Sequence, residues 1–213
     1  MEDYMKNVTI FHHPLIDHKI THLCDVNTKT KEFREIVSEL AMLMGFEAFR
    51  DLKTKMVEIQ APLSKFESPV VDEEVTIVPI LRAGLGMVDG LVSLFPNAHV
   101  GHIGLYRDEE TLEPHEYYFK LPKEAPNSTV ILVDPALATG GSAKAAIDCL
   151  KQRGCKKIVF LALIAAPEGI KRVMEAHPDI KLYAAHYADA PLNEHGYIMT
   201  AFGDAGDRIF GTM

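Results

Sequence analysis

The sequence predicts an α/β protein built on a central, mainly parallel sheet flanked by helices. Three observations predict it. From Thr76 onward short apolar runs alternate with helical stretches. The run Val130–Val133 leads through Asp134 into Thr139-Gly140-Gly141-Ser142 and then a helical segment, the order of strand, anion-binding turn and helix. The chain has 213 residues, 47% of them apolar, enough to fill one large core without disulfide or metal staples.

Residues 1 to about 65 are charge-rich and helical in pattern. Thr30 stands as an N-cap before a helix over Lys31–Met44, with Phe33, Ile36, Val37, Leu40 and Leu43 along one face, and Gly45 permits a bend. Strands follow at Thr76–Leu81, His99–Leu105, Thr129–Val133, Lys157–Ala165 and Lys181–Ala185. The helices between them are Gly86–Leu94, Ala143–Gln152 and Gly169–Ala176. The connection Asp108–Ser128 is too polar for a crossover helix and carries Pro114, Pro122 and Pro126. Its Glu116–Lys120 centre reads as one arm of a projecting β-hairpin, and the segment Asp108–Leu121 as a lid. No repeat, low-complexity tract or linker divides the chain, so 1–213 reads as a single domain. Within it, 1–65 is an N-terminal helical appendage, 76–190 an α/β core and 191–213 a C-terminal extension.

A net charge of −8 argues against a general duplex-binding surface, which needs clustered Lys and Arg, so any anion is held locally. Cys24, Cys149 and Cys155 form no Cys-x-x-Cys pair and no even set, which fits a reducing cytosol. No basic stretch leads into an apolar signal region and no 18-residue apolar run occurs, so the expected location is cytoplasmic.

In an open parallel sheet, ligands bind beyond the carboxyl ends of the strands. There the sequence places Arg82 beside Gly84, Arg107 after Tyr106, and Asp134 ahead of the Thr-Gly-Gly-Ser loop. The C-terminal extension carries Gly203-Asp204-Ala205-Gly206-Asp207-Arg208. A phosphate cradle, two cations and a carboxylate suited to sugar hydroxyls match one ligand shape, a sugar with a phosphate at one end and a pyrophosphate at the other. Competing motifs fail: Gly84-x-Gly86-x-x-x-Gly90 misses the dinucleotide spacing, and no P-loop occurs. His18 and His22, four apart, lack a third ligand in sequence and read as solvated or capping residues. Ser142 has no base partner in sequence and is not read as a nucleophile.

Asp134-Pro-Ala-Leu-Ala-Thr-Gly-Gly-Ser142 resembles the phosphoribosyl pyrophosphate (PRPP) loop of the type I phosphoribosyltransferase family, in the form carried by its uracil-using members. Further stretches share that resemblance: His13–Lys19, Lys31–Arg34, Val78–Gly86, Gly101–Thr111 and Gly203–Gly211. It implies the type I phosphoribosyltransferase fold, with a projecting hairpin arm and a hood of N- and C-terminal segments over the base site. The implied activity is a pentosyl transfer in pyrimidine salvage: uracil plus PRPP giving UMP and pyrophosphate.

By the same resemblance, the PRPP site comprises Arg82, Arg107, Asp134, Pro135, Ala136, Leu137, Ala138, Thr139, Gly140, Gly141, Ser142 and Asp204. The 5-phosphate falls on Ala138–Ser142, the ribose on Asp134 and the pyrophosphate on Arg82 and Arg107. Uracil lies against Ile198, Gly203, Asp204 and Ala205, and Arg107 and Asp204 are the implied catalytic residues. Mg²⁺ enters as the PRPP complex rather than on a metal site of the protein's own. The resemblance also implies a homodimer or higher homo-oligomer and, from some bacterial members, activation by GTP; nucleic acid and membrane are not expected partners. Cys24 stands where the family usually has arginine, Ala136 where methionine is common, and Thr200-Ala201 where Pro-Gly is expected. Two other readings stay open. One is a nucleotide- and RNA-binding regulator on the same fold, against which the acidic charge weighs; the other is a type I transferase for another base.

Overall fold

The computed structural model describes residues 3–107 and 114–212, without the side chains of Asp3, Arg107 and Pro114. The chain opens with β1 (Val8–Ile10), α1 (Pro14–Cys24) and α2 (Thr30–Ala48), followed by the hairpin β2 (Thr54–Gln60) and β3 (Lys65–Val71). The alternating part contains β4 (Val75–Leu81), α3 (Leu85–Leu94), β5 (His99–Val100), β6 (His102–Arg107) and β7 (Pro114–Lys120). It continues through β8 (Thr129–Val133), β9 (Ala136–Leu137), α4 (Gly141–Gln152), β10 (Lys157–Ala165), α5 (Pro167–Ala176) and β11 (Lys181–Tyr187). A short α6 (Ala205–Phe210) follows.

The main path of the sheet runs β1-β11-β10-β8-β4-β6-β7, parallel throughout except for β7, which pairs antiparallel with β6 at one edge. The strands in the middle are buried and apolar along most of their length because both faces are covered, with Thr76 and Thr129 as buried polar exceptions. In β8, Ile131 and Val133 face one apolar layer and Val130 and Leu132 the other. The first layer takes Leu23 of α1, Phe33, Leu40 and Met44 of α2, Leu91 of α3 and Ile209 of α6. The second takes Ile147 and Leu150 of α4 with Ile170 and Val173 of α5. This is the predicted helix–sheet–helix sandwich, and each expected strand of the alternating part is present.

Several local expectations need correction. The helix expected over Lys31–Met44 starts at Thr30 itself, behind Lys29, which makes no side-chain capping bond. It runs straight through Gly45 to Ala48. The missing side chain at Gly45 serves close packing, since a Cβ there would stand 2.5 Å from Leu91 Cδ2 on α3. Residues 1–65 are not helical throughout: β1 pairs with β11 in the main sheet, and β2 lies in the β2–β3 hairpin. That hairpin forms its own two-stranded sheet and is the projecting arm; Glu116–Lys120 pairs antiparallel with the preceding strand β6, as expected of a hairpin arm, but at the edge of the main sheet. The expected strand His99–Leu105 is divided into β5 and β6. Of the expected lid, residues 108–113 lie outside the described residues.

Candidate active site

Strands β4, β6, β8 and β10 all run in one direction, so their carboxyl ends share one edge of the sheet. Arg82 follows the end of β4, Arg107 is the last residue of β6, and Asp134 follows β8. Three of the residues expected from the sequence are thereby brought to one rim by topology alone. The peptide bond Leu81–Arg82 is cis.

The loop after β8 is fastened before it becomes a cradle. The Pro135 carbonyl accepts from the N–H groups of Leu163 and Ile164 at 3.0 Å each, and the Leu137 carbonyl accepts from Ala166 N–H at 2.8 Å. Ala136–Leu137 thus forms β9, a parallel extension along β10. The Leu137 side chain is buried in the core. Within the nine-residue loop expected to hold PRPP, Pro135 and Leu137 are thus buried and bonded along β10, while Ala136, Ala138, Thr139, Gly141 and Ser142 keep partial exposure. Gly140 precedes α4 at φ 77°, a left-handed conformation that a side chain would strain. A Cβ there would also come within 2.9 Å of the Gly169 carbonyl oxygen. That turn directs the N-terminal N–H groups of α4, with the positive end of its dipole, along the rim. Behind it, Arg172 Nη1 donates to the Thr139 carbonyl at 3.5 Å.

Asp134 is half-buried. Desolvation pushes its carboxyl up to about 7, partly offset by a hydrogen bond from Ala136 N–H, while the nearby Asp204 carboxylate raises it further. At that value the group is poised between acid and carboxylate at neutral pH. The Arg82–Asp207 bond ties this edge of the sheet to the C-terminal extension.

Asp204 is the N-cap of α6: its Oδ1 accepts from Asp207 N–H at 2.9 Å, and its Oδ2 accepts from the Tyr197 hydroxyl at 2.9 Å. Both oxygens are thereby oriented. Arg82, half-exposed, is not free in this state; its Nη2 donates to Asp207 Oδ1 at 3.2 Å, and its guanidinium lies 5.8 Å from the Phe210 ring centroid. Thr212 Oγ1 donates to the same Asp207 oxygen at 2.6 Å. These bonds hold the Asp207 carboxyl below its ordinary value, the Thr212 bond foremost and the Arg82 pairing after it.

Ile198 is buried by its side chain, so what it can offer a base is its main chain. Its carbonyl already accepts from Ala201 N–H at 3.2 Å, within a tight turn that follows the Leu192–Ile198 bridge. Gly203 sits at φ 73° with open space around the position of a Cβ. Ala205 is buried at the start of α6. A cavity of about 410 Å³ lies between the α1–α2 connection and this loop, lined among others by Cys24, Thr28, Lys29, Gly203, Asp204 and Arg208.

Sequence reasoning missed Tyr197, Asp207, Arg208 and Arg172. The Asp204-Ala-Gly-Asp207 spacing is a helix-start signal that identifies Asp204 as a cap. Arg208 had no such signal, because its partners are main-chain carbonyls near the other end of the chain. Among the described residues no helix is long and apolar enough to cross a membrane, and no three His, Cys, Asp or Glu side chains gather to hold a metal ion.

A family profile described as uracil phosphoribosyltransferase matches residues 10–212. Relatives of that name from Geobacillus kaustophilus and Clostridioides difficile are 58% and 57% identical over 209 residues, covering 98% of this chain and all of theirs. The solved structure of the AQ2163 protein from Aquifex aeolicus superposes with a TM-score of 0.90 at 36% identity, covering 95% of this chain and 97% of that one. Adenine phosphoribosyltransferase from Trypanosoma brucei, solved with AMP, pyrophosphate and ribose-5-phosphate, superposes with a TM-score of 0.59 at 12% identity, covering 93% and 88%, a likeness of fold alone.

Proposed function

The chain belongs to the uracil phosphoribosyltransferase family, and from that premise we infer that it transfers the 5-phosphoribosyl group of PRPP to uracil, giving UMP and pyrophosphate. The observation that carries the reading is the meeting of two halves. The cradle at the start of α4 follows one strand end of the sheet, and the C-terminal extension reaches the same edge through the 3.2 Å bond from Arg82, at the end of β4, to Asp207 of α6.

In this reading the 5-phosphate rests on Ala138–Ser142, whose N–H groups and helix dipole favour a dianion. Asp134 accepts from the ribose hydroxyls, and Arg82 and Arg107 take the pyrophosphate. Uracil N1 bonds to C1 of the ribose as the C1–O bond breaks; the electron pair leaves on pyrophosphate and the N1 proton is lost. Positive charge grows on the ribose and negative charge on the leaving group, so the guanidiniums stabilise the state that limits the rate. Arg82 must exchange its Asp207 partner for pyrophosphate. An exposed pair of this kind is worth about 0–1 kcal/mol, so the exchange is cheap.

Mg²⁺ arrives with PRPP as part of the substrate and neutralises its charge. The Asp134 and Asp204 carboxylates are oxygen donors of the kind a hard cation accepts. Uracil presents an N3–H donor between two carbonyls. Main-chain groups at Ile198, Gly203 and Ala205 with fixed polarity would reject cytosine by leaving buried groups unpaired.

We read 1–213 as one catalytic domain, supported by two apolar layers that both draw on the same central strands. We also propose a homo-oligomer. The β2–β3 arm exposes Met56, Leu63, Phe66 and Val70, and an isolated two-stranded hairpin is at best marginally stable without a second surface. The acidic charge supports small-molecule substrates rather than nucleic acid, and three free cysteines fit a cytoplasmic setting. One assay tests the central reading: protein, Mg²⁺ and PRPP with uracil, cytosine, hypoxanthine or orotate, with and without GTP, following nucleotide formation. UMP forms only with uracil. Absence of UMP while PRPP binds would refute it.

A further inference from the structure

The Arg208 side chain is buried, and its hydrogen bonds among the described residues go to main-chain carbonyls. Its Nη1 donates to the Leu23 carbonyl at 2.8 Å and to the Phe202 carbonyl at 3.4 Å. Its Nη2 donates to the carbonyls of Asp25 at 2.7 Å and Thr28 at 3.0 Å. The guanidinium also lies 4.3 Å from the centroid of the Phe33 ring. Leu23 belongs to the last turn of α1, where helix carbonyls lack intrahelical partners. One planar cation therefore ties α1, the α1–α2 connection, α2 and the loop before Gly203 to the helix that carries it.

The loop so held is the one assigned above to uracil. Gly203 has no neighbour within 4 Å of the place a Cβ would occupy, so nothing packs against it from that side. Its position is set by its two ends. Phe202 is fixed by its carbonyl bond to Arg208 and by its edge-on packing against Phe33, with ring centroids 5.8 Å apart. Asp204 and Ala205 begin α6, whose fourth residue is Arg208.

We propose that Arg208 is a positioning residue for base recognition: by clamping both ends of the Phe202–Ala205 loop to the α1–α2 connection, it sets the main-chain donors and acceptors that read uracil. The proposal rests on the assignment of that loop to the base. A guanidinium is required because only a fixed fork of N–H donors meets four carbonyls at once; an ammonium keeps the charge but reaches fewer. Most of the site assigned to PRPP, the cradle on β8 and α4 with Arg82 and Arg107 at the ends of β4 and β6, lies outside the clamped loop, which shares only Asp204 with it.

The test compares Arg208→Lys with wild type in steady-state kinetics, with thermal unfolding and the KM for PRPP as controls of the fold. The KM for uracil rises roughly tenfold to hundredfold, the loss expected when one or two charge-assisted hydrogen bonds no longer pre-order the loop. The KM for PRPP changes far less than that for uracil, discrimination against cytosine weakens, and the amides of Phe202–Ala205 exchange faster with solvent. If the lysine variant does not fold, Phe33→Leu, which removes the stacking face and leaves the carbonyl bonds, gives a smaller rise in the same constant. A parallel Gly203→Ala variant, strained at φ 73°, tests the loop assignment itself. If Gly203→Ala raises the uracil KM while Arg208→Lys does not, the clamp is wrong and the loop assignment stands. If neither moves it, both are wrong. Equal rises in the two substrates' KM values also overturn the proposal, because they mark general loosening.

Discussion

Replacing Asp134 by Asn separates what this carboxyl costs the fold from what it gives the reaction. In the unfolded chain the group ionises near 3.8 and in the folded one near about 7. Below the lower value both states hold the proton and stability is unaffected. Between the two, the unfolded chain has released the proton while the folded one retains it, so stability falls as pH rises, and the loss levels off above the folded value. Three pKa units at about 1.4 kcal/mol each set a ceiling of about 4 kcal/mol at neutral pH. Asp134 keeps some contact with solvent, which reduces the working figure to roughly 2 kcal/mol. Asparagine stays neutral and still accepts from Ala136 N–H. Its stabilising effect in ligand-free protein should therefore grow by roughly 1–2 kcal/mol between about pH 5 and about pH 8. Urea unfolding of both proteins at the two pH values measures this. A gain of equal size at both would show that Asp134 is an ordinary ionised carboxylate and refute the reasoning. The same variant loses the charged acceptor for the ribose hydroxyls, so a more stable protein with little turnover is the expected pairing.

Two other substitutions probe the two sides of the rim. Gly140→Ala places a Cβ at φ 77° and 2.9 Å from the Gly169 carbonyl, costing about 1–3 kcal/mol of stability and raising the KM for PRPP; wild-type values of both would remove the left-handed turn from the cradle. Asp204→Ala removes the α6 cap, at about 1 kcal/mol, and its turnover should fall far more than that loss of stability explains. Unchanged turnover in a mildly destabilised protein would leave Asp204 as a cap alone.

The parts of this molecule that were legible in the sequence are those specified locally. Val130–Ser142 carries its strand, its loop and its helix start within a few residues, and the structure places each there. The β2–β3 arm was hidden because its residues are nearly all exposed or half-buried, so no alternation of buried and exposed positions marks its period. Gly45 was misjudged for a different reason: its purpose lies in Leu91 of another helix, and a sequence does not show which helices touch. Arg82 could be placed at a strand end, but its pairing with Asp207 joins residues 125 positions apart. Arg208 is the extreme case, since its partners are carbonyls that every residue possesses.

The bonds from the Pro135 and Leu137 carbonyls to β10 fix when the cradle is ordered. Fixing a residue's backbone costs about 1–2 kcal/mol of conformational entropy, and along this loop that cost is met when the sheet forms, before any phosphate arrives. Binding then finds its N–H groups already aimed and spends little of its own free energy on arranging them. The amides of Leu163, Ile164 and Ala166, which close these bonds, sit on buried residues and should exchange with the core rather than with a mobile rim. A ligand can therefore tighten the anchored start of this loop only slightly.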